Sequence, residues 1–262
     1  MKAHLVELDI AWHDRKENVA RVRRLLDGAG VARGDLVVLP EMFDTGFSFE
    51  TVVTIDAGGE TLGFVSGLAT ELGAWVAAGR SVASGDRALN VMTCVDAEGK
   101  TVCEYAKIHP FSIGGEDERF DAGKEVRSFA WGGLRVVPTI CYDLRFPELY
   151  RLGVLAGGEA FIVAANWPES RQSHWRALLI ARAIENQAYV LGVNRCGSDP
   201  RLRYLGGTIV VSPRGEVVAE TTGEAVCPGR VLSVEIDADE VRTWRRKFPA
   251  LRDIRLLGEA MR

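Results

Sequence analysis

The stretch Val136-Val-Pro-Thr-Ile-Cys141-Tyr-Asp-Leu-Arg-Phe-Pro-Glu148 begins as an apolar run, reaches a cysteine and turns toward Phe146-Pro147. The apolar residues over 133–140 predict a buried strand, and the segment over 147–156 predicts a helix. A side chain at such a strand-to-turn junction projects into a cleft, where backbone N–H groups of the turn can face a substrate oxygen. The stretch therefore indicates an α/β fold with Cys141 exposed to a cleft.

Segments typical of strands and of helices alternate on both sides of this stretch. Apolar residues recur at helical spacing over 15–29, 60–72 and 174–186, whereas short apolar or alternating runs predict strands. The predicted strands span 3–10, 35–39, 74–84, 88–95, 101–108, 133–140, 160–165, 188–194 and 231–236, with hairpin turns at 97–100 and 212–215. Hairpins exclude a purely parallel arrangement, and the interspersed helices indicate α/β layers with helices packed outside mixed sheets.

The composition is that of an ordinary globular protein. The 262 residues are 47% hydrophobic and 26% charged, with a net charge of −4 and dispersed Lys and Arg. A nucleic-acid partner would need a concentrated basic face, and a membrane span would need ~20 consecutive apolar residues, so we expect neither. No linker or repeat divides the chain. We therefore predict one domain over 1–262, with a core of about 3–236 and a C-terminal helical tail over 237–262.

The five cysteines predict neither a metal site nor a disulfide framework. Their number is odd, no CxxC pair occurs, and no group of Cys and His has zinc-ligand spacing. The opening stretch Met1-Lys-Ala-His-Leu-Val-Glu-Leu-Asp9 reaches charged residues early, which is not typical of a secretory signal. We expect a cytoplasmic protein with reduced thiols. Four of the cysteines are expected to be small hydrophobes, namely Cys94, Cys103, Cys196 and Cys227.

Two charged residues follow apolar strands in the same way as Cys141. Glu41 ends the run Leu36-Val-Val-Leu-Pro-Glu41, and Lys107 lies in Glu104-Tyr-Ala-Lys107-Ile-His-Pro110. Strand ends are where α/β folds place ligand sites. A desolvated glutamate gains a raised pKa that suits a base, and a lysine can neutralise a developing oxyanion. From these residues alone, a structural Glu–Lys ion pair and a merely buried cysteine remain alternatives.

Three motifs in order resemble the Glu–Lys–Cys signature of the nitrilase superfamily: Leu39-Pro-Glu41, Tyr105-Ala-Lys107-Ile-His109 and the run Cys141–Arg151 (CYDLRFPELYR). Their separations, 107 − 41 = 66 and 141 − 107 = 34 residues, are also similar. The resemblance extends from the first strand to about residue 236 and includes Ala165-Asn-Trp-Pro168 and the segment 174–186. Three ordered motifs are far more specific than any one of them.

The resemblance implies a four-layer αββα sandwich with mixed sheets, which usually dimerises, and a covalent thioester route that needs no metal or organic cofactor. Matched by position, Glu41 is the general base and Cys141 the nucleophile. Lys107 and the backbone N–H of Tyr142 form the oxyanion hole. We accordingly expect a homodimer or higher homo-oligomer that acts on a small-molecule amide.

A fourth acidic residue of the superfamily, which positions the lysine and the substrate, matches Glu116. Asp117 and Glu118 are close enough in sequence to compete for this assignment, and a solvated loop is a further alternative. The chain departs from the amidase pattern at Pro110, where leucine is frequent, and in Val76-Ala-Ala-Gly-Arg80, which lacks a double glycine. These departures bear on the substrate more than on the chemistry.

Within the superfamily, the run after Cys141 and the segment Ala165-Asn-Trp-Pro168 most resemble the omega-amidase branch, which deamidates short α-keto dicarboxylic monoamides such as 2-oxoglutaramate. A carboxylate on the substrate requires a cation, and Arg145 is the candidate, with a structural pair to Glu148 as the alternative. Trp167 and Phe43 are candidates for lining the pocket, although large aromatic residues near strand ends could equally be core.

Two other functions remain open. One is a different amidase of the superfamily, acting on deaminated glutathione, an N-carbamoyl amine or an aliphatic amide. The other is a non-catalytic ligand-binding or scaffold protein, because a fold never guarantees an activity. The presence of Glu41, Lys107 and Cys141 together argues against the second possibility.

Overall fold

The computed structural model describes residues 1–223 and 227–255, and this part of the chain forms fourteen β-strands and six α-helices. The strands are β1 Lys2–Glu7, β2 Leu36–Val38, β3 Trp75–Ser84, β4 Arg87–Val95, β5 Thr101–Ala106, β6 Phe129–Trp131, β7 Leu134–Ile140, β8 Ala160–Ala165, β9 Tyr189–Asn194, β10 Cys196–Ser198, β11 Arg203–Leu205, β12 Ile209–Val211, β13 Val217–Glu220 and β14 Arg230–Glu235. The helices are α1 Arg15–Leu26, α2 Thr51–Thr54, α3 Glu60–Leu72, α4 Pro147–Leu155, α5 Gln172–Asn186 and α6 Ala238–Lys247.

Two six-stranded sheets account for most of the strands. The first has the order β14-β1-β2-β3-β4-β5 and the second the order β13-β12-β9-β8-β7-β6, while β10 and β11 form a separate short hairpin. In each sheet the central strands are parallel, as in β1–β2–β3 and β7–β8–β9, and the outer strands pair antiparallel. Both sheets are therefore mixed, as predicted.

Apolar packing stacks these elements into four layers. One core cluster lies between the sheets and includes Val38 and Ile140. A second joins the first sheet to α1 and α3, and a third joins the second sheet to α4 and α5. Burying one aliphatic side chain of this kind stabilises the fold by about 1.5–3 kcal/mol. The helices thus lie outside two facing sheets, which confirms the expected αββα sandwich.

The central strands have sequences that suit burial on both faces. Every residue of β2, β8 and β9 is buried, which explains why these strands are continuous apolar runs without alternation. The predicted helix 60–72 has the observed bounds, whereas the helix predicted over 174–186 begins two residues earlier, at Gln172. The three-residue strands β6, β10 and β11 were not predicted, because they are too short to show a period.

A disulfide between Cys196 and Cys227 corrects the expectation that all five thiols are reduced. Their Cα atoms are 6.0 Å apart across a sequence separation of 31, within the range of disulfides. The pairing arises because β10 packs beside the segment that enters β14, which no sequence spacing reveals. The buried carboxylate of Glu7 lies against both sulfurs, with all three ligand atoms within 4.8 Å of one another. The two sulfurs are bonded to each other and so are not free thiolates.

The C-terminal part follows the prediction only as far as the structure describes it. Helix α6 and a short 3₁₀ segment at Ala250–Asp253 occupy the beginning of the predicted tail over 237–262, and residues 256–262 lie outside the described residues. Among the helices within 1–223 and 227–255, none is long and apolar enough to cross a membrane.

Candidate active site

Ends of strands from both sheets converge on one buried site. Glu41 follows β2 after Pro40, Lys107 directly follows β5, and Cys141 directly follows β7. The ammonium of Lys107 donates a hydrogen bond to Glu41 Oε1 at 2.8 Å, and the side chains are 1% and 0% exposed. Residues 66 positions apart thus form a buried ion pair. A buried pair of this kind requires further hydrogen bonds to offset the desolvation of both charges.

Glu116 supplies a second carboxylate to the same ammonium. Lys107 Nζ lies 2.8 Å from Glu116 Oε2, and the amide of Asn90 donates to both Glu41 Oε1 at 2.8 Å and Glu116 Oε1 at 3.0 Å. The backbone N–H of Phe111 donates to Glu116 Oε2 at 2.6 Å. Glu116 is fully buried in this network, whereas its neighbour Glu118 is exposed. Of the competing acidic residues, Glu116 is therefore the one that contacts the lysine.

Asn166 connects the carboxylate to the cysteine. Its backbone N–H donates to Glu41 Oε2 at 2.9 Å, and its side-chain amide donates to the Glu41 carbonyl at 2.7 Å. The Cys141 thiol is directed at the Asn166 carbonyl oxygen, with a sulfur–oxygen distance of 3.9 Å. The three motifs found in the sequence therefore meet in space, with Glu41 held from two sides and the thiol beside it.

Cys141 occupies a strained turn. Its φ is +46°, a value that residues other than glycine rarely adopt and that is concentrated at functional sites. Cys141 is the first residue of a 3₁₀ segment, Cys141–Arg145, which directly follows β7. The sharp turn predicted at the end of the strand is thus present. It leaves the Tyr142 N–H near the start of the segment, where backbone donors are free of helical partners.

Asp143 holds this turn in place and joins it to the lysine loop. Its Oδ2 accepts the N–H of Ile140 at 3.0 Å and the hydroxyl of Tyr105 at 2.7 Å, and its Oδ1 accepts the N–H and Nδ1 of His109 at 3.0 and 2.8 Å. Because Tyr105 and His109 flank Lys107, one buried carboxylate fixes the position of the cysteine relative to the ammonium. His109 is thereby paired to a carboxylate and stacked on Phe146 at 3.8 Å.

Gly79 allows the backbone of Glu41 to approach β3 closely. A Cβ at this position would lie 2.6 Å from Glu41 Cα, 2.7 Å from the Pro40 carbonyl oxygen and 2.8 Å from the Met42 nitrogen. All three atoms belong to backbone, so no side-chain rotation could relieve the contact. The stretch 76–80 contains one glycine where the amidase pattern has two. That one glycine, Gly79, is the residue that lets the backbone of Glu41 lie against β3.

Burial and charge shift the pKa values at the site in a consistent direction. Burial raises the pKa of the Cys141 thiol well above its usual value, and the negative charge of Glu41 raises it further, against the opposing effect of Lys107. Burial by itself would lower the pKa of Lys107, but the charges of Glu116 and Glu41 outweigh it and leave that pKa raised. The thiol is therefore neutral and the lysine charged at neutral pH. A neutral thiol needs a base to remove its proton as it attacks.

A small pocket of about 50 Å³ leads to Cys141. Its walls include Phe47, Phe111, Trp167 and Arg145, and Trp167 is almost fully buried. Trp167 and Arg145 thus lie where the sequence predicted a substrate-contacting role. In the described residues Arg145 forms no salt bridge with Glu148; its guanidinium lies 4.8 Å from the centre of the Trp167 ring instead.

Phe43 lies elsewhere, which corrects its assignment to the pocket. The side chain is fully buried in the cluster between the first sheet and its helices, and its ring centre is 6.1 Å from that of Phe64 in α3. Phe43 is two residues beyond Glu41, but the backbone turns at Met42, whose φ is +43°. The chain therefore directs Phe43 into the core, and Phe47 of the same loop contributes the aromatic wall of the pocket.

Several residues of the site carry no strong sequence signal. Asn90, Asn166 and Asp143 are polar residues that are 5% exposed or less and act through their hydrogen bonds to Glu41, Glu116 and the cysteine turn. Asn166 and Asp143 lie within the motifs that resemble the superfamily, and that position is the signal that could have marked them. Asn90 lies in the middle of β4, where a buried amide in an apolar strand is the only hint.

A comparison with protein-family models decides the family. The model described as carbon-nitrogen hydrolase matches residues 2–246. The chain belongs to the carbon-nitrogen hydrolase family. This result confirms the resemblance to the nitrilase superfamily and the prediction of an enzyme that hydrolyses carbon–nitrogen bonds.

This carbon-nitrogen hydrolase is similar to curated bacterial proteins over nearly its whole length. Omega-amidase YafV of Escherichia coli (strain K12) is 36% identical over 254 residues, which cover 97% of this chain and 96% of the relative. A 2-oxoglutaramate amidase of Bacillus subtilis (strain 168) is 32% identical over 253 residues, covering 95% and 96%. The similarity to omega-amidases agrees with the branch that the motifs resemble.

A solved structure shares the fold of this carbon-nitrogen hydrolase. XC1258 of Xanthomonas campestris, a CN-hydrolase superfamily protein with an arsenic adduct in its active site, superimposes with a TM-score of 0.90. The two chains are 32% identical, and the match covers 97% of each. The αββα architecture of the superfamily is therefore present throughout the matched chain.

Proposed function

We propose that this carbon-nitrogen hydrolase is an omega-amidase-like enzyme. It releases ammonia from the terminal amide of a short carboxylate-bearing acid, such as 2-oxoglutaramate, through a thioester on Cys141. The observation that carries the proposal is that Asn166 contacts both the Glu41 carboxylate and the Cys141 sulfur, beside the buried Lys107 ammonium. A base, a thiol and an ammonium at one site are the groups that acyl transfer to sulfur requires. The names of the Escherichia coli and Bacillus subtilis relatives favour this substrate class.

In the acylation half of the reaction, the sulfur of Cys141 forms a bond to the amide carbonyl carbon while Glu41 accepts the thiol proton. The π electrons of the carbonyl move to oxygen, and Lys107 Nζ and the Tyr142 N–H stabilise the resulting charge. The tetrahedral intermediate then collapses. The C–N bond breaks, nitrogen keeps the electron pair and takes the proton from Glu41, and ammonia leaves.

In the deacylation half, Glu41 removes a proton from water as the water oxygen attacks the thioester carbon. A second tetrahedral intermediate forms with its charge in the same oxyanion hole. When the C–S bond breaks, the sulfur of Cys141 recovers the proton from Glu41, and the carboxylic acid product departs. Water, Glu41 and Cys141 carry every proton and electron pair, so the proposal invokes no metal or organic cofactor.

Glu116 is proposed to position Lys107 rather than to transfer protons. It shares the ammonium with Glu41 at equal distances of 2.8 Å, and two further donors hold its carboxylate. Burial raises the pKa of Glu116, and the Glu41 charge adds to this effect while Lys107 opposes it. The ammonium is thus held by two carboxylates in a fixed place, where an oxyanion can form without reorganising the site.

The carboxylate of the substrate is proposed to face Arg145 at the pocket wall, with the acyl chain against Trp167. Arg145 is half-buried, and its guanidinium presents several donors in a planar fork that matches a carboxylate. Amide hydrolysis on deaminated glutathione, on an N-carbamoyl amine or on a simple aliphatic amide is the alternative within the family. The pocket beside Cys141 is small, which favours a short acid over the glutathione skeleton.

An ammonia-release assay over these amides tests the proposal. We expect the highest kcat/KM with 2-oxoglutaramate and no turnover above background in Cys141→Ala, which should remain folded because the change removes one sulfur from a partly exposed position. Substantial ammonia release by folded Cys141→Ala would refute the thioester route. Preference for an N-carbamoyl amine or a neutral amide would instead refute the substrate class.

A second measurement separates an enzyme from a non-catalytic protein of the same fold. Intact mass is recorded after incubation with an electrophilic amide analogue. Cys94 and Cys103 serve as internal controls, because they are free thiols that are buried at 1% and 7% exposure. We expect one adduct on Cys141 and a much slower reaction in Glu41→Gln. An unreactive Cys141 at every pH would support the scaffold alternative.

The homodimer implied by the family resemblance is also part of the proposal. Sedimentation equilibrium at micromolar concentration should give twice the monomer mass of 28.6 kDa. A monomer with full activity would remove the dimer from the proposal. The cytoplasmic location remains a prediction, which fractionation of cells that express the chain would test.

A further inference from the structure

The pocket beside Cys141 is lined by two arginines, and no acidic residue of the described chain lines it. Arg145 and Arg171 both contribute to its wall, and no Asp or Glu does so among the described residues. Within 1–223 and 227–255, neither arginine lies within salt-bridge distance of an acid. The nearest acid in sequence to Arg171, Glu169, faces Arg203 at 3.8 Å instead. Two cationic residues therefore line one pocket, and the described part of the chain places no acidic partner beside either of them.

The fold holds Arg171 at this place. Its backbone carbonyl accepts the indole N–H of Trp167 at 2.7 Å, and its guanidinium lies 5.6 Å from the centre of the Phe111 ring. Phe111 in turn donates its backbone N–H to Glu116. Arg171 thus connects the wall formed by Trp167 to the loop that carries Glu116. Arg145 lies over the other aromatic wall, at 4.8 Å from Trp167.

This arrangement is costly in the absence of an anion. Both arginines are half-buried, and two like charges at one partly desolvated pocket raise each other's free energy. Contact with aromatic faces offsets part of this cost without neutralising the charge. An anionic ligand would remove the repulsion and form charge-assisted hydrogen bonds. The pocket is therefore complementary to a negatively charged substrate group.

We infer that Arg171 acts together with Arg145 as a two-guanidinium anchor that determines specificity for an amide whose far end is a carboxylate flanked by an oxo oxygen. The inference rests on the proposed function and extends it. A 2-oxo acid presents three neighbouring acceptor oxygens, more than one guanidinium edge can bind with two parallel hydrogen bonds. An amino acid amide such as glutamine would bring an ammonium toward two guanidinium groups, and the pocket therefore rejects it.

The test compares amides that differ only in charge at the far end. Glutaramate carries a carboxylate, and pentanamide carries a methyl group in its place. In Arg171→Gln, kcat/KM for glutaramate should fall about ten- to hundredfold, mainly through KM, because a charge-assisted hydrogen bond is lost. Pentanamide should be affected little. Arg171→Lys keeps the charge and loses the planar fork, so its kcat/KM for glutaramate should lie between those of wild type and Arg171→Gln.

Arg176→Gln is the matched control. Arg176 lies one turn further along, in α5, where it is exposed and paired to Glu220 at 2.9 Å outside the pocket. We expect wild-type preference for glutaramate over pentanamide in this variant. Equal losses on both amides in Arg171→Gln would show a structural role and overturn the inference. The inference would also be overturned if Arg171→Gln kept the wild-type preference for 2-oxoglutaramate over glutamine.

A binding measurement keeps this inference separate from the proposed function. Calorimetric titration of glutarate into Cys141→Ala and into Cys141→Ala/Arg171→Gln needs no turnover. A tenfold or greater loss of glutarate affinity in the double variant supports the anchor, and equal affinities overturn it. Failure of the wild-type enzyme to hydrolyse any of these amides would refute the proposed function while leaving the binding result to decide the anchor.

Discussion

Replacing Gly79 by alanine is expected to displace Glu41, the proposed general base, without touching its side chain. The new Cβ would lie 2.6 Å from Glu41 Cα, where ordinary van der Waals contact begins at 3.4 Å. The two backbones must therefore separate by roughly 3.4 − 2.6 = 0.8 Å. Glu41 is 2.8 Å from Lys107 Nζ and 2.9 Å from the Asn166 backbone nitrogen, so a shift of this size would break these hydrogen bonds.

The magnitude follows from this displacement. A misplacement of about 1 Å at a catalytic group costs about a hundredfold in rate, so Gly79→Ala should lower kcat by one to two orders of magnitude, about 10- to 100-fold. Overpacking of a buried position typically costs about 1–3 kcal/mol of unfolding free energy. Both effects arise from one contact, so they should occur together.

The assay measures kcat for amide hydrolysis and the free energy of unfolding in urea, at a temperature where the variant is fully folded. Gly67→Ala is the control, because Gly67 lies exposed in α3 and an added Cβ there has no neighbour within 4 Å. That variant should keep wild-type kcat and gain up to about 1 kcal/mol of stability, as alanine replaces glycine inside a helix. Wild-type kcat in folded Gly79→Ala would show that the close approach does not position Glu41.

Three further variants test other parts of the site. Lys107→Met should lower single-turnover kcat about 10²–10³-fold through loss of an oxyanion partner, and it should also lower Tm because two buried carboxylates lose their cation; near-normal turnover would contradict the role of the ammonium. Asp143→Asn replaces an acceptor of four hydrogen bonds by a group that can accept at one oxygen only. It should reduce the unfolding free energy by about 2–4 kcal/mol in urea titrations, and an unchanged midpoint would refute the anchoring role of this carboxylate. The pKa of Cys141 is raised above 9.0 in the fold, so the native thiol keeps its proton where the unfolded chain loses it, and the resulting stability is present below pH 9 and lost above it. Relative to Cys141→Ala, wild type should lose about 1.4 kcal/mol per pH unit above pH 9, and equal pH slopes for the two proteins would exclude the shift.

Much of the fold could be predicted because its central strands have unusually clear sequences. Strands such as β2 and β8 are buried on both faces, so they are uninterrupted apolar runs, and the reactive residues come directly after such runs. The order of motifs then indicated which three side chains would meet. Short edge elements such as β6 and β10 could not be predicted in this way, since three residues contain no measurable period.

The supporting residues of the site were harder to predict. The bonds of Asn90 to Glu41 and Glu116, and of Asp143 to Tyr105, join residues 26 to 49 positions apart, and a single sequence contains no information on such contacts. The choice between Glu116 and Glu118 depended on which side of one short turn faces Lys107. In the structure Glu116 is buried against Lys107, whereas Glu118 is exposed to solvent.

The order and chemistry of the reactive groups, and the α/β class, are properties of the sequence, because they depend on residue types and on spacing along the chain. The tertiary structure alone decided that Phe43 enters the core, that Cys196 bonds to Cys227, and that Arg171 joins Arg145 at the pocket. These outcomes depend on the direction of each side chain. That direction is determined by backbone turns and by the packing of the two sheets, and neighbouring residues in the sequence do not specify it.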